Sequence, residues 1–530
     1  MARTLAQTIF GARFSGLPNH SKENFYCTSR REPDLFHHSV CGLYTSTSLF
    51  PALWYQTHQF LDAGSSRTTV YVYEWPAEKE NDTGIVSQTF KCDVKGPGIS
   101  SYEHNTGALA KPLDECLNKV KERIPVHLHK STSIYLGATA GMRLLRLQNE
   151  TAANEVLASI QNYFRAQPFR FRGAHIITGP EEGVYGWITA NYLMGNFLEV
   201  CGKNACFSLT WVHPYRKETM GALDLGGAST QISFIPEDFE ENFNYTMQVK
   251  LYGYDYNVYT HSFQCYGRDE AEKRLLALLF QRSSYLVDNP CYPRNYETAL
   301  TVKYFCGSLC TQSLRPANCY PNQSVIFHGT GEPGLCQEMV SLLFNFTTCR
   351  NQEDCPFNGI HQPKVKGNFV AFSGFYYTIN ALNLSGHFSL ADFNSSMWFF
   401  CSQSWAQLQL MLPKSEEIYA RSYCFSANFI YYLLVHGYNF DAGNWPQIHF
   451  QKEVGNSSIA WSLGYMLSLT NMIPAEGKLI QLPLKPSLFA GLLIFLTVLA
   501  LLCLFFLVYL CIVSRHQKVI SRVEYVFTPE

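Results

Sequence analysis

Two stretches of the chain alternate apolar with other residues directly after an acidic, small-residue turn. TVYVYEW (69–75) follows DAGSSRT (62–68), and QISFI (231–235) follows DLGGAST (224–230). Period-two alternation predicts strands, so each turn is expected to join two of them. Each turn places Asp first, Gly two residues on, then small residues and a Thr. Glycine admits backbone conformations closed to other residues, and consecutive N–H groups in such a turn form a nest for anionic oxygens. One D-x-G turn is more often a plain hairpin. Two copies suggest a duplicated fold with a ligand between its halves.

Other segments alternate in the same manner. SIYLGATAGMR (133–143) predicts a strand, a small-residue turn and a helix start. AHIITGPEEGVYGWITANYLMG (174–195) repeats that order and puts Glu181 and Glu182 at the expected helix N-terminus. A helix N-terminus stabilises an ionised carboxylate, so capping alone would account for both glutamates. From Leu488 to Val513 no residue is charged, longer than the roughly 20 residues a membrane helix needs. Arg515, His516, Lys518 and Arg522 follow, which places residues 514–530 in the cytosol by the positive-inside tendency.

Composition narrows the class. Of 530 residues, 47% are hydrophobic and 15% aromatic, which excludes a disordered chain. With 41 basic and 42 acidic residues there is no electrostatic case for nucleic acid. Eighteen cysteines point to an oxidising compartment. So do nine N-x-[ST] sequons, at Asn19, Asn81, Asn149, Asn244, Asn322, Asn345, Asn383, Asn394 and Asn456. Metal binding is the rival reading of the cysteines, but no C-x-x-C occurs. Residues 1–61 show no signal-like apolar core, so a chain beginning this way is expected to be exported poorly.

Five segments together carry a resemblance: DAGSSRT (62–68), GATAGMR (137–143), EEGVYGW (181–187), DLGGASTQ (224–231) and WSLGYM (461–466). In order and spacing they are similar to the five conserved regions of the ecto-nucleoside triphosphate diphosphohydrolase (apyrase) family, and segments such as MRLLRLQNETAANEV resemble its type 3 branch. The resemblance implies a two-lobed α/β ectodomain of the actin and heat-shock ATPase superfamily plus a C-terminal transmembrane helix. Lobe I would be 55–178 with 452–480, lobe II 179–451 and the membrane helix 488–513, with 1–54 outside the pattern.

The same resemblance implies Ca²⁺- or Mg²⁺-dependent hydrolysis of extracellular nucleoside tri- and diphosphates to monophosphates, regulating purinergic signalling at the plasma membrane, with a homo-oligomer as one option. Asp62, Asp224, Thr139 and Trp461 would hold the cation through water. Gly64, Ser65, Ser66, Arg67, Thr68, Gly226, Gly227 and Ala228 would contact phosphate. Glu182 would be the base, with Ser229 and Gln231 orienting the attacking water, and Tyr377 and Arg268 would meet the nucleobase. Implied bridges are Cys92–Cys116, Cys265–Cys310, Cys291–Cys336, Cys349–Cys355 and Cys401–Cys424, leaving Cys201, Cys206, Cys306 and Cys319 unassigned.

The chemistry suits such a list, because phosphoryl transfer leaves a protein mainly charge neutralisation and positioning to supply. No P-loop pattern is present. A luminal nucleoside diphosphatase and a catalytically weak nucleotide- or partner-binding glycoprotein remain as alternatives. One departure bears on the site: the strand leading into Asp62 reads ALWYQTHQFL, and Thr57, His58 and Gln59 are poor occupants of a buried central strand. A damaged strand would misplace Asp62.

Overall fold

The computed structural model describes residues 55–472 and 486–524, apart from 77–78, 80–82, 198, 201–210, 213–217, 238–244, 282–284, 317–318, 350–354, 356 and 415–416. Residues 1–54, Cys201 and Cys206, and the sequons at Asn19, Asn81 and Asn244 lie outside the described residues.

The first sheet contains β1 (Tyr55–Ala63), β2 (Thr68–Pro76), β3 (Ser87–Val94), β4 (Ser133–Ala138) and β5 (Arg170–Ile176). Its order is β3-β2-β1-β4-β5. The β1–β2 and β2–β3 pairs are antiparallel, while β1–β4 and β4–β5 are parallel. Helices α1 (Ala110–Arg123), α2 (Ala140–Gln148) and α3 (Glu150–Arg165) bury their apolar faces with this sheet. Leu117, Val120, Val156, Ile160 and Phe164 meet Leu61, Val70, Val72, Ile134 and Leu136 there. Helix α4 (Gly179–Leu193) follows β5, and β6 (Glu199–Val200) pairs with β7 (Trp211–Val212).

The second sheet repeats the first. It contains β8 (Gly221–Leu225), β9 (Ser229–Phe234), β10 (Thr246–Leu251) and β11 (Tyr254–Gln264). A three-stranded sheet of β12 (Leu286–Asn289), β13 (Glu297–Thr301) and β14 (Ser324–Gly329) intervenes before β15 (Phe369–Ser373) and β16 (Ile448–Phe450) complete it. The order is β10-β11-β9-β8-β15-β16. Antiparallel β11–β9 and β9–β8 pairs lead to parallel β8–β15 and β15–β16 pairs. From β11 onward this matches the first sheet strand for strand, so the duplication suggested by the two acidic turns is real.

Helices α5 (Arg268–Phe280), α6 (Val302–Cys306), α7 (Pro333–Ser341), α8 (Gly374–Ala381), α9 (Leu390–Cys401), α10 (Trp405–Met411), α11 (Glu417–Ala420) and α12 (Tyr423–Tyr431) surround the second sheet. Their large core is stapled by bridges at Cys265–Cys310, Cys291–Cys336, Cys349–Cys355 and Cys401–Cys424, while Cys92–Cys116 ties β3 to α1. Helix α13 (Trp461–Met472) returns to the first half and crosses α4, where Gly464 N–H donates to Thr189 Oγ1 at 2.8 Å.

The suspect strand forms in full. β1 pairs with β2 from Tyr55 to Ala63 and with β4 from His58 to Ala63, so from His58 onward it is paired on both edges. His58 is buried and stacks on Trp75 with ring centroids 4.4 Å apart. Burial, aided by the charge of Arg172, lowers its pKa to about 3, so it is held neutral. Gln59 is fully buried, and neither amide atom has a hydrogen-bond partner. The ladder holds Asp62 in register opposite Thr69 and Gly137 despite these two side chains.

Helix α14 (Pro486–Glu524) carries Gly491–Arg515, 25 residues with an 18-residue stretch of mean hydropathy 3.0. By length and composition that run is able to cross a membrane.

Candidate active site

Both acidic turns open on one cleft of about 460 Å³. Asp62 at the end of β1 and Asp224 near the end of β8 line it, as do Gly64, Ser65, Ser66 and Arg67 of the first turn. Gly226, Gly227 and Ser229 come from the second turn, and Thr139, Glu182, Arg268, Tyr377 and Trp461 complete the expected set. A methyl group on Gly227 would sit 2.7 Å from Ser65 Oγ and 2.9 Å from Ser66 Oγ, so the two turns nearly touch. Three expected residues stand behind the wall: Thr68 is buried in β2, Ala228 is buried in its turn, and Gln231 is buried in β9.

The paired glutamates of α4 separate into different tasks. Thr178 and Glu181 form a reciprocal capping box, with Thr178 N–H donating to Glu181 Oε2 at 2.8 Å. Capping is thus complete without Glu182. That residue is buried and receives Arg143 Nη2 at 2.8 Å. The same Arg143 nitrogen donates to Ser229 Oγ at 3.2 Å, and Gln231 Nε2 donates to Ser229 Oγ at 2.7 Å. With two donors already on its oxygen, the Ser229 hydroxyl is left to direct its own proton elsewhere.

Asp62, Asp224 and Glu182 form an acidic triangle, with Asp224 and Glu182 buried and Asp62 half-buried. Burial, then the charge of Glu182, pushes Asp62 up to about 7, against the Trp461 hydrogen bond at 3.0 Å. Burial and Glu182 likewise push Asp224 to about 8, while Ser373 donates a compensating hydrogen bond. Glu182 is raised by burial and held back by Arg143. Glu182 alone of the three is paired with a cation, Arg143, while Arg67 and Lys91 only partly offset the charge at Asp62, so the cluster suits an added cation. Among the described residues no three acidic, His or Cys side chains stand close enough to grip a metal directly. The carboxylates of Asp62 and Asp224 and the hydroxyl of Thr139 line one cleft, and oxygen donors of this kind fit a hydrated divalent ion.

On the other side of the cleft, Arg67 lies over the Tyr377 ring at 5.6 Å and donates to its hydroxyl at 3.4 Å. Arg268 is committed to Asp269 and Ser422 and lies over the Tyr419 ring. Tyr377 offers a face to a planar group; Arg268 lines the same wall already paired.

Several residues in or behind the cleft wall escaped the sequence reading. Arg143 was inside GATAGMR, and a lone cation starting a helix after a small-residue turn was the available signal. Ser373 closes β15, the parallel neighbour of β8, and so sits close to the repeat equivalent of Thr139 after β4. Its φ of 56° is a conformation non-glycine residues seldom adopt. Carrying the duplication through to those neighbour strands would have found it. Lys91 and Lys452, which also line the cleft, gave no local signal.

The duplicated sheets with paired turns on one cleft make this a two-lobed actin-like α/β protein. A solved structure titled as nucleoside triphosphate hydrolases from Neospora caninum has the same fold, with TM-score 0.54 and 15% identity over 79% of this chain and 93% of that one. The GDA1/CD39 (nucleoside phosphatase) family signature matches residues 58–482. The chain is 65% identical over 461 residues to human ectonucleoside triphosphate diphosphohydrolase 3, covering 86% of each. It is 45% identical to ectonucleoside triphosphate diphosphohydrolase 2 of Gallus gallus, over 78% of this chain and 83% of that one. The chain belongs to the GDA1/CD39 nucleoside phosphatase family.

Proposed function

We propose that this protein is a membrane-anchored enzyme that hydrolyses nucleoside triphosphates and diphosphates outside the cell to monophosphates, using Ca²⁺ or Mg²⁺. The observation that carries the reading is Glu182: freed from capping by Glu181, it turns into the cleft beside Arg143, Ser229 and the two aspartates. In this reading backbone N–H groups of the two turns, with Ser65 and Arg67, hold the polyphosphate. Asp62 and Asp224, with Thr139 and Trp461, hold the waters of the cation. That cation, when bound, supplies positive charge to the phosphate oxygens. Ser229 points a water at phosphorus, Gln231 fixes Ser229 from behind, and Glu182 takes the proton as the water attacks. Arg143 positions Glu182 and keeps its proton affinity within a useful range. Tyr377 stacks on the base. The C-terminal helix spans the plasma membrane with its tail in the cytosol.

Glu182→Gln keeps size and hydrogen bonding but cannot accept the proton. Phosphate release from both ATP and ADP should fall about 10²–10⁴-fold, with nucleotide binding in Ca²⁺ retained. A folded Glu182→Gln enzyme that turns over within about tenfold of the parent would remove the base assignment.

A further inference from the structure

Ten cysteines of the described ectodomain are bridged, and two thiols remain there, Cys306 and Cys319. Cys306 ends α6 and is buried in the large core, while Cys319 is half-buried and packs against the same core. The two thiols lie near enough for Cys319 to raise the hold of Cys306 on its proton. Their segments are also stitched together by backbone: Val302 N–H donates to Gln323 O at 2.8 Å and Lys303 N–H to Pro321 O at 3.0 Å. The contact is therefore held by an anchored helix turn and its neighbour. An isolated buried thiol is inert, but two facing thiols have a short path to a bond.

We propose that Cys306 and Cys319 form a further disulfide in the exported protein, beside the five among the described residues. The oxidant is an incoming disulfide, protein-borne or of the glutathione kind. Cys319, the more exposed, loses its proton and attacks one sulfur, giving a mixed disulfide and releasing one thiol. Cys306 then loses its proton and displaces the second thiol as the Cys306–Cys319 bond closes. Two electrons pass to the incoming disulfide, which leaves as two thiols. Burial raises the proton affinity of Cys306, which is consistent with Cys319 reacting first.

The bridge would close a loop that matters to the cleft. That loop contains Ser308, whose hydroxyl meets Glu270, and Cys310, which is bridged to Cys265. Cys265 precedes α5 and Glu270 belongs to its first turn, whose N–H groups hold the second acidic turn: Arg268 donates to Gly226 O, and Asp269 and Glu270 to Gly227 O. A cross-link at 306–319 would stiffen the ground beneath that turn without touching a reacting group.

The inference rests on the exported ectodomain proposed above, so the test uses full-length protein from eukaryotic cells, captured by its glycans. The protein is denatured without reductant, alkylated and mapped by mass spectrometry. Cys306 and Cys319 should resist alkylation until reduction, as Cys92 and Cys116 do in the same sample. Cys306→Ser should expose Cys319, and Cys319→Ser should expose Cys306, with the other five pairs still protected. Full labelling of both thiols in a sample where Cys92 and Cys116 are protected overturns the proposal. If export fails and that pool is empty, protein from total membranes is treated with oxidised glutathione. Joint protection of both thiols without added mass supports the bridge, and a lasting glutathione adduct on either cysteine overturns it.

Discussion

The two acidic turns occupy equivalent places in the duplicated fold but are built differently. The turn after β8 is held by backbone. Cys265 N–H donates to Ala228 O, and the first N–H groups of α5 take the carbonyls of Gly226 and Gly227. Its strand, GALDL, is buried throughout. The turn after β1 has no such helix. It is wedged against Gly98 and relies on its side chains, Ser65, Ser66 and Arg67, to face the cleft. Its strand carries His58 and an unpartnered Gln59 in the interior. A turn whose carbonyls are all engaged keeps its N–H groups aimed without help. The other turn must get charge and direction from what hangs on it.

The comparison breaks most visibly at Gly267. A methyl group there would stand 2.4 Å from the backbone nitrogens of Ala228 and Ser229, which cannot yield without moving the turn. Gly267→Ala should lower kcat/KM for ATP by about 10²-fold or more, the scale for misplaced catalytic groups. Near-normal kinetics would mean that the backbone clamp is not what sets the second turn.

Arg67→Ala should act on the first turn with a smaller effect. Losing one charge-assisted contact to phosphate predicts an increase in KM and a kcat/KM lower by about 10–100-fold. An unchanged KM for ATP and ADP would show that the first turn also binds through backbone alone.

His58 sets an acid limit on the strand beneath. It is neutral in the fold down to pH about 3, whereas an unfolded histidine protonates near 6.5. Below that value the unfolded chain binds the extra proton, so stability falls as pH falls, by about 2 kcal/mol at pH 5. Thermal melts of wild type and His58→Leu between pH 7 and 4 should diverge, the variant losing less. Parallel curves would place the proton sensitivity elsewhere.

Gln59→Leu is the mildest probe. Removing an amide that is buried without partners should raise stability by about 1 kcal/mol and leave turnover alone. A lower melting temperature would reveal a partner for that amide, such as an enclosed water.

Much of this was legible beforehand. Both D-x-G turns, the β4–α2 and β5–α4 units and the apolar run in α14 follow from local alternation and glycine placement. Local pattern failed where the deciding contact is distant. That Glu181 caps and Glu182 does not depends on Arg143, which lies 39 residues away from Glu182. The survival of β1 depends on pairing along both edges, which outweighs two ill-suited side chains. Cys306 facing Cys319 depends on how residues 321–323 return to α6, which no spacing rule encodes.

Helix α13 closes the first half of the molecule from the far end of the chain. Trp461 reaches Asp62 across 399 residues, Ser462 meets Tyr73 across 389, and Thr470 and Asn471 meet Gly84 and Thr83 across 386 and 388. A ribosome adding about 5–20 residues per second needs about 20–80 s to deliver that distance. During that interval the nascent first sheet lacks the helix that covers Phe60, Tyr73 and Trp75. It also lacks the indole that meets Asp62. The first half is thus made early and finished last, leaving an apolar face for chaperones or for aggregation through most of synthesis.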